Sequence, residues 1–166
     1  MTERAPIHLG SGEPMLLLHP FMMSQNVWKG VAPLIADTGR YEVFAPTMLG
    51  HNGGGKGPFF LDSGSLADDI ERRLDALGWD TAHIVGNSLG GWVAFELERR
   101  GRARTLTGIA PAGGWRHFTT YLPKDTQITH LDGVGHIPMF EAPRRIADLI
   151  VEFVDRYATP PHEAIG

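Results

Sequence analysis

The stretch Thr81-Ala82-His83-Ile84-Val85-Gly86-Asn87-Ser88-Leu89-Gly90-Gly91 changes pattern twice within eleven residues. Thr81 to Val85 is a short apolar run, too short for a helix, and reads as a buried strand. Leu89 to Arg100 reads as a helix that stops at Gly101. Between them, Gly86 and Gly90 bracket Ser88 in a G-x-S-x-G pattern, and Gly91 follows. The pattern alone is weak, because a chain with 21 glycines produces such matches by chance. Its place after a strand and before a helix gives it meaning. Glycines let strand and helix approach closely around a strained turn, which lifts the Ser88 hydroxyl above the sheet. The helix N-terminus then supports negative charge developing beside it. The competing reading is a plain Gly-rich turn with an idle serine.

Working outward, further apolar runs alternate with helical spacing. Met15 to Leu18 is a strand ended by His19-Pro20, and Tyr41 to Ala45 is another. Thr105 to Ala110 and Gln127 to Leu131 complete the series, and Ile7-His8-Leu9 adds an edge strand. Leu66, Ile70, Leu74 and Leu77 share one helical face, with Ser65 as N-cap and Gly78 as stop. Asn26 to Ala36 reads as a helix with an irregularity at Pro33. The last helix opens at Pro143 and keeps a 3.6 period through Ile146, Leu149, Ile150, Phe153, Val154 and Tyr157. Strands alternating with helices predict an α/β fold: a mostly parallel sheet of five or six strands with helices on both faces.

The composition agrees. The 166 residues, 42% hydrophobic and 20% charged, make one domain over 1–166. A net charge of -4 without a Lys/Arg run argues against nucleic acid as a partner. The absence of cysteine excludes disulfides, thiolate metal sites and a thiol nucleophile, and agrees with a cytoplasmic setting. Met1 to Pro6 has no apolar leader, and no apolar run has the length of a transmembrane segment. No cofactor or metal is implied. The Gly-rich run His51 to Gly57 lacks phosphate-loop spacing and reads as a flexible rim loop.

His136, in Asp132-Gly133-Val134-Gly135-His136-Ile137-Pro138, lies just past the expected last strand. All parallel strands end on one edge of a sheet, so His136 can meet Ser88 there. His83 and His130 fall inside expected strands, and His117 and His162 read as surface. The loop His19-Pro20-Phe21-Met22 is placed to aim the Phe21 N–H at an oxyanion, paired with the N–H of Leu89. Met22, Phe59, Phe60 and Ile137 are candidates for substrate contact.

These residues together resemble the α/β-hydrolase fold superfamily in its serine hydrolase branch. The matching segments are Leu16 to Phe21, Ala45 to His51, Ile84 to Gly91 and Gly133 to Pro138, in the family's order. The resemblance implies hydrolysis of a small-molecule ester through an acyl-enzyme. A Ser at position 88 disfavours the epoxide and haloalkane branches, which carry Asp there.

The departure from the family is its acid. Four acidic residues lie between Ser88 and His136: Glu96, Glu98, Asp125 and Asp132. The first two lie two to three turns into the helix, on the order of 12 Å or more from the nucleophile. Asp125 precedes the expected last strand, at the opposite sheet end. Asp132 alone is at the correct end and is the candidate acid, although the family places its acid elsewhere. Residues 112–126 form a connection too short for two crossovers, so the lid and one strand–helix unit are missing. Trp115 to Leu122 would supply the one remaining helix, and the last strand would slide to pair with Thr105–Ala110. Neutralising a triad acid costs on the order of 10⁴ in turnover. Three readings therefore stand: an ester hydrolase of ordinary or weak activity, an inactive natural or engineered scaffold, and a carbon–carbon bond hydrolase. Phe21, Met22, Met23, Phe59, Phe60, Met139 and Phe140 would form an exposed apolar rim suited to self-association.

Overall fold

The computed structural model describes residues 4–57, 62–112 and 126–157. Five strands form one sheet: β1 (Ile7–Gly10), β2 (Glu13–Leu18), β3 (Tyr41–Ala45), β4 (Ala82–Asn87) and β5 (Ala103–Ile109). Their order is β1-β3-β2-β4-β5. β1 runs antiparallel to β3 on the edge, and every other pairing is parallel. Helices α1 (Ala32–Ala36), α2 (Ser63–Ala76), α3 (Leu89–Arg99), α4 (Pro138–Glu141) and α5 (Pro143–Tyr157) lie around this sheet.

Alternation along each strand divides the core in two. Met15 and Leu17 of β2 face Trp28, Ile35, Ile146, Ile150 and Val154, which places α1 and α5 on one side. Leu16 and Leu18 face Leu66, Ile70, Leu74, Val93 and Leu97, which places α2 and α3 on the other. β4 is buried along its whole length, as a central parallel strand must be. The last turn of α5 is tied to β3, because Tyr41 Oη donates to Asp155 at 2.6 Å.

Several expectations change. Ser65 is not the N-cap of α2. Asp62 is, and its carboxylate accepts the Ser65 N–H at 2.7 Å while Ser65 Oγ accepts the Asp62 N–H. The helix therefore starts one turn sooner. The stretch 26–36 is not one helix. A 3-10 helix (Gln25–Trp28) precedes α1, and Pro33, which lacks an N–H, sits in the first turn of α1. Residues 127–131 form no strand, so the slide onto β5 does not occur and His130 is in an irregular segment. The stretch has apolar residues only at Ile128 and Leu131, three apart, so it offers no alternating face to a sheet. Trp115–Leu122 lies outside the described residues.

Candidate active site

At the C-terminal end of β4 the chain turns into α3 through Ser88, whose φ of 51° and ψ of -113° are strained for a residue with a side chain. The glycines around it are dictated by contact. A Cβ on Gly86 would lie 2.2 Å from the Gly90 carbonyl oxygen, and one on Gly90 would lie 2.3 Å from that of Leu18. The Ser88 N–H donates to the Ile109 carbonyl at 3.1 Å, and the Ser88 carbonyl accepts from Trp92 and Ala112. Its hydroxyl makes no hydrogen bond among the described residues and is half-buried at the start of α3. Strand end, strain and glycines together present the Ser88 side chain at a helix N-terminus.

The loop after β2 lies at the same end. His19 is fully buried, and its ring is held from both sides. The Met48 N–H donates to Nε2 at 2.9 Å, so Nδ1 carries the hydrogen and donates to the Pro20 carbonyl at 2.8 Å. Burial pushes the ring pKa down to about 4, against the Pro20 hydrogen bond, and neighbouring His51 adds to the lowering. This neutral histidine fixes a turn in which the Met23 N–H donates to Pro20 and Met22 has a φ of 60°. The Phe21 and Leu89 N–H groups are taken by no hydrogen bond among the described residues. His51 packs edge-on to His19 and Phe21. The Gly-rich run that follows is packed rather than loose: Gly53 and Gly54 are buried, and the Gly53 carbonyl accepts from Arg4.

The structure brings the His136 turn to the elbow through Asn87, whose Nδ2 donates to the His136 carbonyl at 3.1 Å. The His136 side chain is exposed and makes no hydrogen bond among the described residues. Asp132 is exposed too, and no hydrogen bond or ion pair joins its carboxylate to His136. The carboxylate that does reach this turn is Glu141 of α4, which accepts the Gly135 N–H at 2.9 Å. Glu96 is committed elsewhere: hydrogen bonds from Arg99 and Arg100 hold it down to about 2. Ile137 packs half-buried against the core. Met22 is 81% exposed, Phe21 65% and Phe140 59%, whereas Met139 is buried against Trp28 and leaves the expected rim. Phe59 and Phe60 lie outside the described residues. His83 is buried between Thr105 and Glu13, at the opposite sheet end. Asn87 and Glu141 had no role in the sequence reading. The one signal for Asn87 was a polar side chain directly before Ser88 in the turn.

Residues 13–100 match the α/β-hydrolase fold family, and the chain belongs to it. It is similar to epoxide hydrolase EphH of Mycobacterium tuberculosis, with 33% identity over 205 aligned positions, 57% of this chain and 96% of that protein. Against a soluble epoxide hydrolase of Corynebacterium sp. (strain C12), 34% identical, it spans only 29% of the relative's length. A thermophilic esterase from Thermogutta terrifontis superposes with a TM-score of 0.60 at 28% identity, over 64% of this chain and 40% of that one. No described helix is long and apolar enough to cross a membrane.

Proposed function

We propose that the chain is a serine hydrolase that cleaves small carboxylic esters through an acyl-enzyme. Ser88 Oγ attacks the ester carbon, and His136 takes its proton and returns it to the leaving alcohol. The Phe21 and Leu89 amides hold the oxyanion, and water then releases the acid. Met22 and Ile137, with Phe59 and Phe60, contact the acyl and alcohol groups. The observation that carries this reading is the strained, glycine-enforced Ser88, whose hydroxyl makes no hydrogen bond among the described residues. Likeness to the Thermogutta terrifontis esterase supports it. The cysteine-free sequence agrees with a cytoplasmic setting.

Ser88→Ala is expected to abolish hydrolysis of p-nitrophenyl acetate with the thermal midpoint nearly unchanged, and a fluorophosphonate is expected to label Ser88. Parent-level activity in Ser88→Ala would sink the reading. A second reading, epoxide hydrolysis, is favoured by the match to EphH. It lacks the Asp that this chemistry attaches to the epoxide carbon, and turnover of an epoxide without ester cleavage would install it instead.

With no described carboxylate hydrogen-bonded to the His136 side chain, we read the reaction as a Ser88–His136 dyad. Asp132→Asn is then expected to change turnover by less than about threefold. A loss of about 10²-fold would make Asp132 the triad acid.

A further inference from the structure

His136 reaches the elbow without the support that a sheet would give it. Residues 126–131 lead to it as irregular, mostly exposed chain, and no ladder hydrogen bonds carry that segment to β5. A base must nevertheless stay within hydrogen-bond reach of the nucleophile whose proton it takes. Something else must set the distance between the two backbones.

Asn87 is built for that task. It is fully buried, next to Ser88 in the chain. Its Nδ2 donates to two carbonyl oxygens, Ile109 at 2.8 Å and His136 at 3.1 Å. Both partners are acceptors, so the nitrogen and not the oxygen of the amide must face them. The Ile109 carbonyl also takes the Ser88 N–H. A continuous chain of hydrogen bonds therefore runs from Ser88 N–H to Ile109 C=O, to Asn87 Nδ2, to His136 C=O. The Asn87 Oδ1 end is buried with no partner among the described residues, so the residue carries a desolvation cost that an apolar side chain of its size would avoid. A second clamp, Gly135 N–H to Glu141, holds the other flank of the same turn.

We infer that Asn87 is a positioning residue, which sets His136 against Ser88 in place of the absent strand. The inference rests on His136 serving Ser88 as its base. Asn87 touches no reacting atom. It acts by fixing where the histidine backbone sits.

Two kinds of measurement test it. In the parent protein, NMR should find the Asn87 side-chain amide protons as protected from solvent exchange as the β4 backbone amides. Exchange at the rate of an exposed asparagine would overturn the inference, whether or not the protein is an esterase. In Asn87→Asp and Asn87→Leu, which keep the size and lose the donors, hydrogen exchange over residues 133–137 should accelerate while β4 stays protected. With p-nitrophenyl acetate, kcat should fall by roughly 10²-fold with KM within about twofold. The histidine limb of the pH–rate profile should give way to a rate that climbs with hydroxide. A role confined to folding would lower the thermal midpoint and leave that profile's shape intact. Folded variants with kcat within about threefold of the parent and unchanged exchange at 133–137 would overturn the inference. If neither variant folds, the parent exchange measurement decides. A parent that is inert toward esters, yet shows the protected Asn87 amide and faster 133–137 exchange in the variants, would refute the proposed function and leave the clamp standing.

Discussion

His19 shows how much one buried polar side chain contributes near this site. It spans from the Pro20 carbonyl to the Met48 N–H, so it ties the loop after β2 to the chain leaving β3. Its pKa is about 4 in the folded protein, against an ordinary 6.5. As the pH falls from about 6.5 toward 4, the unfolded chain binds a proton that the folded chain refuses. The stability His19 confers is therefore complete above about 6.5 and is lost across that window. By pH 5 the loss from this group is about 2 kcal/mol. Urea unfolding at pH 7 and pH 5 checks this. His19→Gln should be less stable than the parent at pH 7, and should lose about 2 kcal/mol less than the parent on going to pH 5. Equal pH dependence in parent and variant would show that His19 protonates freely in the fold. None of this was legible in the sequence, where His19-Pro20 reads as a strand end leading into the Phe21 loop, with no role for the imidazole. The partner that neutralises its Nε2 lies 29 residues away, and local pattern carries no such information.

Among elements, legibility followed how strongly local pattern constrains the backbone. β3 occupies Tyr41–Ala45 as read, because its apolar run is bounded by Gly39-Arg40 and Pro46. α5 was legible because its stripe is regular over four turns. The stretch 127–131 misled because Ile128 and Thr129 favour a strand, while apolar residues only at Ile128 and Leu131 leave no alternating face to pack. The elbow was legible through its glycines, and the structure gives them a magnitude. In Gly90→Ala the new Cβ meets the Leu18 backbone oxygen at 2.3 Å, so α3 must lift from β2. Such overpacking costs about 3 kcal/mol. At roughly 2–4 °C per kcal/mol for a chain of this size, the thermal midpoint should drop by about 6–12 °C. Gly78, at the end of α2, has a φ of 75° and nothing near its absent Cβ. Gly78→Ala should therefore cost only the left-handed backbone strain, about 1 kcal/mol. Calorimetry of the pair tests the argument. Equal shifts would mean that α3 absorbs the new Cβ without the cost of lifting from β2.

For the whole molecule, the loop after β2 and helix α4 both carry exposed large apolar side chains. Phe21, Met22 and Phe140 are exposed, and α4, which carries Phe140, packs against the 3-10 helix that follows Phe21 and Met22. Three large apolar side chains exposed on neighbouring segments exceed the scattered single exposures normal for a protein surface. Phe140 also lies on the helix that supplies Glu141 to the His136 turn, so whatever covers this rim would bear on the site's geometry. A second copy offers the same rim, and a two-fold arrangement would bury both together. Sedimentation velocity over a wide concentration range is expected to show reversible dimerisation that Met22→Ser with Phe140→Ser abolishes. Met139, buried against Trp28, supplies the control: Met139→Leu keeps core volume and should leave association unchanged. A parent that sediments as a monomer throughout, with no response to detergent, would leave the rim to substrate alone.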